Sequence, residues 1–510
     1  MNARLSLIIL MMLAFLGASL AMAESYPGYT LFSKNGSTST TLLDENSSTA
    51  WSWSHNRSGG YSCYLLEDGS LIRPAFGGSS DLFGGAAAGV IQKYSPDSDL
   101  IWEFTYASNS YRTHHDLEPL PNGNILAIAW EVKSSSEAVQ AGLDHTAEIW
   151  LDHIIEVEPV GSNGGNIVWE WHAWDHLVQD HDPTKDNYGV IGDHPELLDF
   201  NLDSGGGGPG SADWMHTNGI SYNPELDQIA ITSHTLNEVW VIDHSTTTAE
   251  AAGHTGGNSG KGGDFLYRWG QPANYDAPGG QEFRVVHCPF WIPEGSPGAG
   301  NLMAYNNGEG TNMSVITELE LPVDEFGNYY LETGEAYGPE DPIWTYSASG
   351  FYSNHLGGCQ RLPNGNTMIA ESTSGRIFEV NEAGAVQWNY DVSGEIPRVL
   401  RYGLTYSGLA PLGLQVSTPD TQAAGYSLAQ NYPNPFNPKT TIAYELPQAG
   451  WTTLKVYDMN GREVATLVDG MQDAGSKSVV FDGTGLSSGI YLYKLNAEGV
   501  TEMRRLALLK

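Results

Sequence analysis

Basic residues are scarce in this chain: 23 lysines and arginines stand against 60 acids over 510 residues, a formal net charge of −37. That balance excludes nucleic acid as a partner, because phosphates demand a basic footprint. Cysteine is almost missing. Cys63, Cys288 and Cys359 are the only three, so disulfides cannot be the main scaffold. Cys63 and Cys359 each stand six residues before the glycine of a turn, equivalent places in non-neighbouring repeats, and all three cysteines are expected as buried thiols. No long amphipathic periodicity is present, no Gly-rich phosphate loop follows a strand, and no GxSxG elbow occurs. After the first residues, no apolar run is long enough to span a bilayer.

The sequence does hold 60 glycines and 11% aromatics, which favours an all-β protein with many turns. Its first 23 residues, "MNARLSLIILMMLAFLGASLAMA", read as a secretory signal peptide cut after Ala23. An exported chain follows from that reading.

Repeats organise the remainder. An aromatic-x-aromatic strand ending recurs six times, as "AWSWSH" (50–55), "IWEFTY" (101–106), "VWEWHA" (168–173), "LYRWGQ" (266–271), "IWTYSA" (343–348) and "QWNYDV" (387–392). A hairpin phrase precedes five of them, for example "LEPLPNGNIL" and "QRLPNGNTMI". Two hairpins make a four-stranded blade, and six blades close a β-propeller over residues 24–412. Uneven spacing and an insertion near 174–212, containing "DSGGGGPGS", leave five or seven blades as alternatives. The copy at Trp51 has no hairpin phrase before it, so the segment "IPRVLRYGLTYSGL" is expected to supply missing strands and latch the ring. Trp51, Trp102, Trp169, Trp344 and Trp388 are assigned to blade packing.

A linker at 413–425 leads to residues 426–510, whose alternating strands suggest a small Ig-like β-sandwich of roughly seven strands. Through "NYPNPFNP", "LKVYDMNGREV", "GIYLYKL" and "RRLALLK", this segment resembles the C-terminal sorting domain of the type IX secretion system. The resemblance implies export across a bacterial outer membrane, to the surface or the medium, with the type IX machinery as partner.

Histidines stand in register with the hairpin turns. His355 lies eight before Pro363 and His216 eight before Pro224; His287 lies six before Pro293 and His115 six before Pro121. All four separations are even, so in extended strands the four side chains share one face, and His114 points away. In a propeller, that face of the innermost strands lines one axial channel. A histidine at a strand start is most often a hydrogen-bonded structural group, but four in register point to a shared site. Imidazoles can act there as nucleophile, acid or base, can stabilise a developing oxyanion, or can hold a metal.

Over most of residues 60–392 the chain resembles the bacterial arylsulfate sulfotransferases. The carriers are "DWMHTNGISYNPELDQIAITSHTLNEVWVID" (213–243), "HCPFWIPEGSPGAGNLMAYNNG" (287–308) and "LGGCQRLPNGNTMIAES" (356–372), with "HHDLEPLPNGNIL" and "VWEWHAWDHLVQDHD" in support. The resemblance implies a six-bladed propeller that moves sulfate from a phenolic sulfate ester to an acceptor phenol. It implies a sulfohistidine intermediate, no nucleotide donor and no cofactor. By motif position His355 matches the nucleophile, and His216 and His287 match the two histidines that bind and polarise the sulfuryl group. His115, Arg361, Asn218 and Asn306 join them as candidate substrate-binding residues. The family motif carries an arginine after "NNG"; here "NNGEGTNMS" carries no basic residue from 306 to 314, so Arg361 is the candidate substitute.

Trp214, Phe290 and Trp291 are candidates to stack on an aryl ring or to pack between blades. "WHAWDHLVQDHD" places His172 and His176 at i, i+4, with Asp175, Asp180, His181 and Asp182 nearby; an inserted surface helix is expected there, and zinc is the alternative. A metal-dependent hydrolase or lyase, and a non-catalytic binding propeller, are the competing functional readings.

Overall fold

The computed structural model describes residues 24–59, 61–202, 212–324, 326–415, 426–431, 433–459, 461–497 and 500–509. The expected signal peptide, the "DSGGGGPGS" segment (203–211) and residues 416–425 of the expected linker lie outside the described residues. The chain divides into two compact units, one ending at Gln415 and the other starting at Val416.

The first unit is a six-bladed β-propeller. Blade 2 is built from Tyr64–Leu65, Leu71–Phe76, Gly89–Tyr94 and Leu100–Thr105. Blade 3 follows with Tyr111–Pro119, Ile125–Lys133, Ile149–Val160 and Gly164–His172, and blade 4 with Thr217–Asn223, Gln228–Ser233, Glu238–Asp243 and Tyr267–Trp269. Blade 5 holds Val286–Trp291, Leu302–Asn306, Val315–Leu319 and Trp344–Tyr346; blade 6 holds Gly358–Arg361, Thr367–Glu371, Arg376–Val380 and Val386–Asp391. Blade 1 is composite. Its outer three strands, Gly28–Ser33, Ser37–Leu43 and Thr49–Gly59, come from the N-terminal side, and its innermost strand is Val399–Gly403. The segment after Trp388 therefore supplies one closing strand, antiparallel to Gly28–Ser33 with Leu400 opposite Leu31. The other missing strands lie upstream of Trp51.

Each repeated phrase has a mechanical purpose. The six aromatic endings are the six outermost strands, and their tryptophan N–H groups donate to carbonyl or hydroxyl oxygens of the following blade. Trp51 reaches Pro96 (3.0 Å), Trp102 reaches Gly164 (2.8 Å), Trp169 reaches Thr246 (3.1 Å), Trp269 reaches Pro339 (2.9 Å) and Trp344 reaches Glu382 (2.9 Å). At the last junction Trp388 instead takes the Arg401 guanidinium over its ring at 4.5 Å. The "LPNGN" turns join the first two strands of blades 3 and 6. Gly123 and Gly365, both at φ 89°, let the chain reverse, with Leu120 and Leu362 bonded at 2.8 Å to the carbonyls of Asn124 and Asn366. The last Asn of each turn then donates to a third-strand carboxylate, Asn124 to Glu156 and Asn366 to Glu379, each at 2.6 Å. These turns brace the blade at the end opposite the histidines.

The second unit has a three-stranded sheet (Ser427–Leu428, Lys439–Leu446, Gly475–Asp482) and a four-stranded one (Gly450–Asp458, Glu463–Gln472, Gly489–Ala497, Val500–Leu508). Ile442, Tyr444, Leu454, Val456, Tyr493 and Leu506 fill its core, as expected of a seven-stranded β-sandwich. Among the described residues no helix is long and apolar enough to cross a membrane.

Candidate functional site

Strand alternation does not bring the histidines together; a local kink does. His115 (φ 51°), His216 (φ 47°), Cys288 (φ 51°) and Leu356 (φ 58°) all adopt left-handed backbone at the start of the innermost strand of blades 3 to 6. Bulges follow in three of them, between Thr113 and Leu117, Thr217 and Gly219, and His287 and Phe290. Left-handed non-glycine residues cost on the order of 1 kcal/mol each and gather where structure is held for function. The kink also overturns the expectation that His114 points away: it is buried beside His115, their Nδ1 atoms 2.7 Å apart.

The rings form a chain across three blades. His115 meets His216 at 4.7 Å between centroids, His216 meets His234 at 4.9 Å, and His234 meets His287 at 5.7 Å. His234 was not selected from the sequence. It follows the second strand of blade 4, away from the hairpin turns that set the register, so no periodic signal marks it.

Hydrogen bonds assign a different proton to each ring. A carboxylate only accepts, so His114 Nε2 donates to Asp152 at 3.0 Å, and its Nδ1 accepts from His115. His115 then presents Nε2 without a proton, and burial together with neighbouring His216 and His114 holds its pKa well below the usual value. His216 donates Nδ1–H to Asp213 Oδ2 at 2.6 Å, while Trp130 donates to the other oxygen at 3.0 Å. Burial alone would lower the His216 pKa; Asp213 outweighs it and the net shift is upward. Burial and then His216 push His234 down to about 3, and its buried Nδ1 has no hydrogen-bond partner among the described residues. One ring in the chain is built to carry the extra proton. It is His216.

His287 has another duty. Asn307 donates its amide hydrogens to the carbonyls of Ser353 (2.8 Å) and Leu356 (2.6 Å), so its oxygen accepts His287 Nδ1–H at 2.6 Å. His287 Nε2 in turn accepts the Leu356 amide at 3.3 Å. Both nitrogens are engaged in holding the loop that carries His355, and burial, followed by His234, keeps the ring neutral. The expected polarising role finds no free N–H at this ring.

His355 itself lies in that loop rather than in a strand, with 44% of its side chain exposed. Its Nδ1 is 2.9 Å from Asn354 Oδ1 and its Nε2 is 3.2 Å from Glu395. Next to the histidine chain is a cavity of ≈ 270 Å³ lined by His115, Tyr61, Phe76, Phe83 and the small residues 84 and 86–88. Gly85 abuts His216 so closely that a Cβ there would sit 3.1 Å from its ring.

Three expected substrate-binding residues are elsewhere engaged. Arg361 stands at the far end of its strand: it is buried, pairs with Glu318, donates to the Gly365 carbonyl at 2.9 Å and stacks over Trp344 at 4.7 Å. It is a blade brace, not the substitute anion binder. Asn218 is buried and joins blade 4 to the Val286 carbonyl of blade 5 at 2.8 Å, accepting from Thr232 at 2.7 Å. Asn306 accepts the Arg284 amide at 2.9 Å and donates to Glu282 O at 2.9 Å. Trp214 and Trp291 are buried in the packing between blades, and Phe290 packs against that of blades 5 and 6. A different arginine enters the channel. Arg398, just before the closing strand, is buried, pairs with Asp116 at 2.9 Å, donates to the Tyr64 hydroxyl and lies 3.5 Å from Cys288 Sγ.

His172 and His176 do not share a helix face. His172 ends blade 3, pairing with Glu131 at 3.3 Å, and a short turn at Ala173–His176 carries His176 inward. The three cysteines are free and buried, as expected.

A family model described as arylsulfotransferase (ASST) matches residues 99–396, and one described as a secretion system C-terminal sorting domain matches residues 430–508. No curated protein matches the chain. Among solved structures, the β-propeller domain of Myceliophteria thermophila Cps50 (Swd1) is 8% identical, covering 75% of this chain and 94% of its own, with a TM-score of 0.34. Kuenenia stuttgartiensis hydrazine synthase is 12% identical, covering 57% and 68%, at 0.33. Apo AztD from Citrobacter koseri is 10% identical, covering 89% and 98%, at 0.31.

Proposed function

The chain belongs to the arylsulfotransferase family, and from that membership we propose that it transfers a sulfuryl group from an aryl sulfate to a phenol through a sulfohistidine at His355, without a nucleotide donor. The observation that carries the proposal is the contact chain His115–His216–His234–His287, with Asp213 bonded to His216, beside the half-exposed His355.

In the proposed first half-reaction, Glu395 takes the ring proton from His355 Nε2, freeing its electron pair. That pair attacks sulfur, the S–O(aryl) bond breaks, and the bonding electrons leave on the aryl oxide. His216 gives its Nε2 proton to the aryl oxide, and a phenol departs. Neutral His216 then takes the proton of the acceptor phenol, whose oxygen attacks the sulfohistidine; the S–N bond breaks and Glu395 returns its proton to His355 Nε2. His287 and Asn307 act as positioning residues by fixing the loop on both sides of the nucleophile. The aromatic cavity at Tyr61, Phe76 and Phe83 supplies a surface for an aryl ring. Imidazolium, rather than guanidinium, balances the sulfuryl charge.

The test is transfer from 4-nitrophenyl sulfate to phenol by the purified chain. Nitrophenol release that requires the acceptor phenol and no nucleotide, and that is lost in His355→Ala, is the expected result. Release that persists in His355→Ala, or that occurs only with a nucleotide sulfate donor, would refute it.

A further inference from the structure

A second histidine centre, sharing no residue with the first, lies where the insertion after blade 3 meets the long excursion of blade 4. His176 ends the turn after the outermost strand of blade 3. His254 and Asp264 come from residues 244–266, between the third and fourth strands of blade 4. His176 Nδ1 and His254 Nδ1 lie 2.8 Å and 2.7 Å from the same oxygen, Asp264 Oδ1. The three donor atoms all fall within 4.8 Å of one another.

The tautomer of His176 makes this more than a surface cluster. Its Nε2 is 2.8 Å from the Ala251 carbonyl, which only accepts, so Nε2 carries the proton. In the neutral ring, Nδ1 then turns a lone pair toward a carboxylate oxygen. Two acceptors face each other in a place where His176 is fully buried. Either a second proton or a cation resolves that conflict. Two imidazole nitrogens and one carboxylate oxygen, with a backbone carbonyl holding the far N–H of a ligand ring, match the first and outer shells of a zinc-class site. The surroundings are built to this arrangement. Trp171 lies parallel to His176 at 5.7 Å and donates to the Gly263 carbonyl at 2.7 Å. A Cβ on Gly263 would come within 2.6 Å of His176 Nε2, so the loop closes over the ring only because this residue has no side chain. His254 is 59% exposed and borders a cavity of ≈ 520 Å³ with Trp174, Asp175, Tyr188 and His194, which leaves a path for the ion and room for water as a fourth ligand.

We propose that His176, His254 and Asp264 bind one zinc-class divalent cation, which clips the blade 4 excursion to the blade 3 insertion. The ion takes no part in sulfuryl transfer.

The experiment is titration of the chelator-treated full chain with Zn²⁺ by calorimetry, and with Co²⁺ by visible absorption. One equivalent, with the intense visible bands of a four-coordinate Co²⁺ site, is expected. His254→Ala, an exposed change that leaves folding intact, weakens binding roughly tenfold or more, and Asp264→Asn removes it. His234→Ala leaves it unchanged, and aryl sulfate transfer by His254→Ala stays at the parent rate. No uptake by the parent chain would overturn the proposal, as would uptake unaffected by His254→Ala and Asp264→Asn, or uptake lost with His234→Ala. None of the three overturning outcomes depends on whether the chain transfers sulfate.

Discussion

Four imidazoles in edge contact cannot all be charged, because like charges at such distances raise one another's cost of protonation. Asp213 decides which ring wins, and this makes the proton inventory testable. His216 has a raised folded-state pKa, because Asp213 outweighs burial, so its proton is lost only as pH rises through that raised value. Its contribution to stability follows the same sign, full below the ordinary histidine pKa and lost on the alkaline side. Asp213→Asn removes the opposing influence and leaves burial to lower the pKa. The alkaline fall of the transfer rate is therefore expected to move to lower pH, as measured by a kcat/KM profile; an unmoved profile would assign the proton elsewhere. Arg361 gives the contrary case. Arg361→Met leaves Glu318 buried with Asn301 as its remaining side-chain partner among the described residues, at a cost of about 3–5 kcal/mol in denaturant unfolding, while KM for the aryl sulfate stays unchanged. Residue by residue, the sequence led to the right neighbourhood by a wrong route. His115, His216 and His287 do converge, but through left-handed residues that carry no compositional signal outside glycine, and the same kink returned His114 to the cluster and hid Asn307 behind Asn306.

At the scale of the element, repetition in the sequence was legible because it repeats one mechanical solution. The aromatic endings mark outer strands whose indole N–H groups latch each blade to the following one. Trp102→Phe keeps an aromatic ring of smaller size and deletes the bond to Gly164, and is expected to cost at least about 1 kcal/mol of stability in thermal or denaturant unfolding. A loss near zero would mean that neither the indole N–H nor its extra bulk contributes to the latch. "LPNGN" turned out to brace the blade floor through Asn124–Glu156 and Asn366–Glu379, not to build the site. Where no repeat existed, reading failed. The insertion after blade 3 holds a 3-10 turn instead of the expected helix, and the partners of His176 lie 75 to 88 residues away in sequence.

On the scale of the molecule, ring closure joins distant parts of the chain. Val399–Gly403 completes blade 1, and Arg398 immediately before it crosses to Asp116 of blade 3 and Tyr64 of blade 2. Six blades were countable from six aromatic endings, whereas this buried ion pair was not, because its partners lie 282 positions apart and share no motif. The sorting domain addresses the chain across the bacterial outer membrane, to the surface or the medium. The central claim is that the exposed His355 stores the sulfuryl group between donor and acceptor. Rapid acid-free mass spectrometry of the chain mixed with 4-nitrophenyl sulfate, in the absence of phenol, tests it most directly. One sulfuryl group on the peptide carrying His355, discharged on adding phenol and absent in His355→Ala, is the predicted result; an unmodified peptide during active turnover, or sulfation at another histidine, would contradict it.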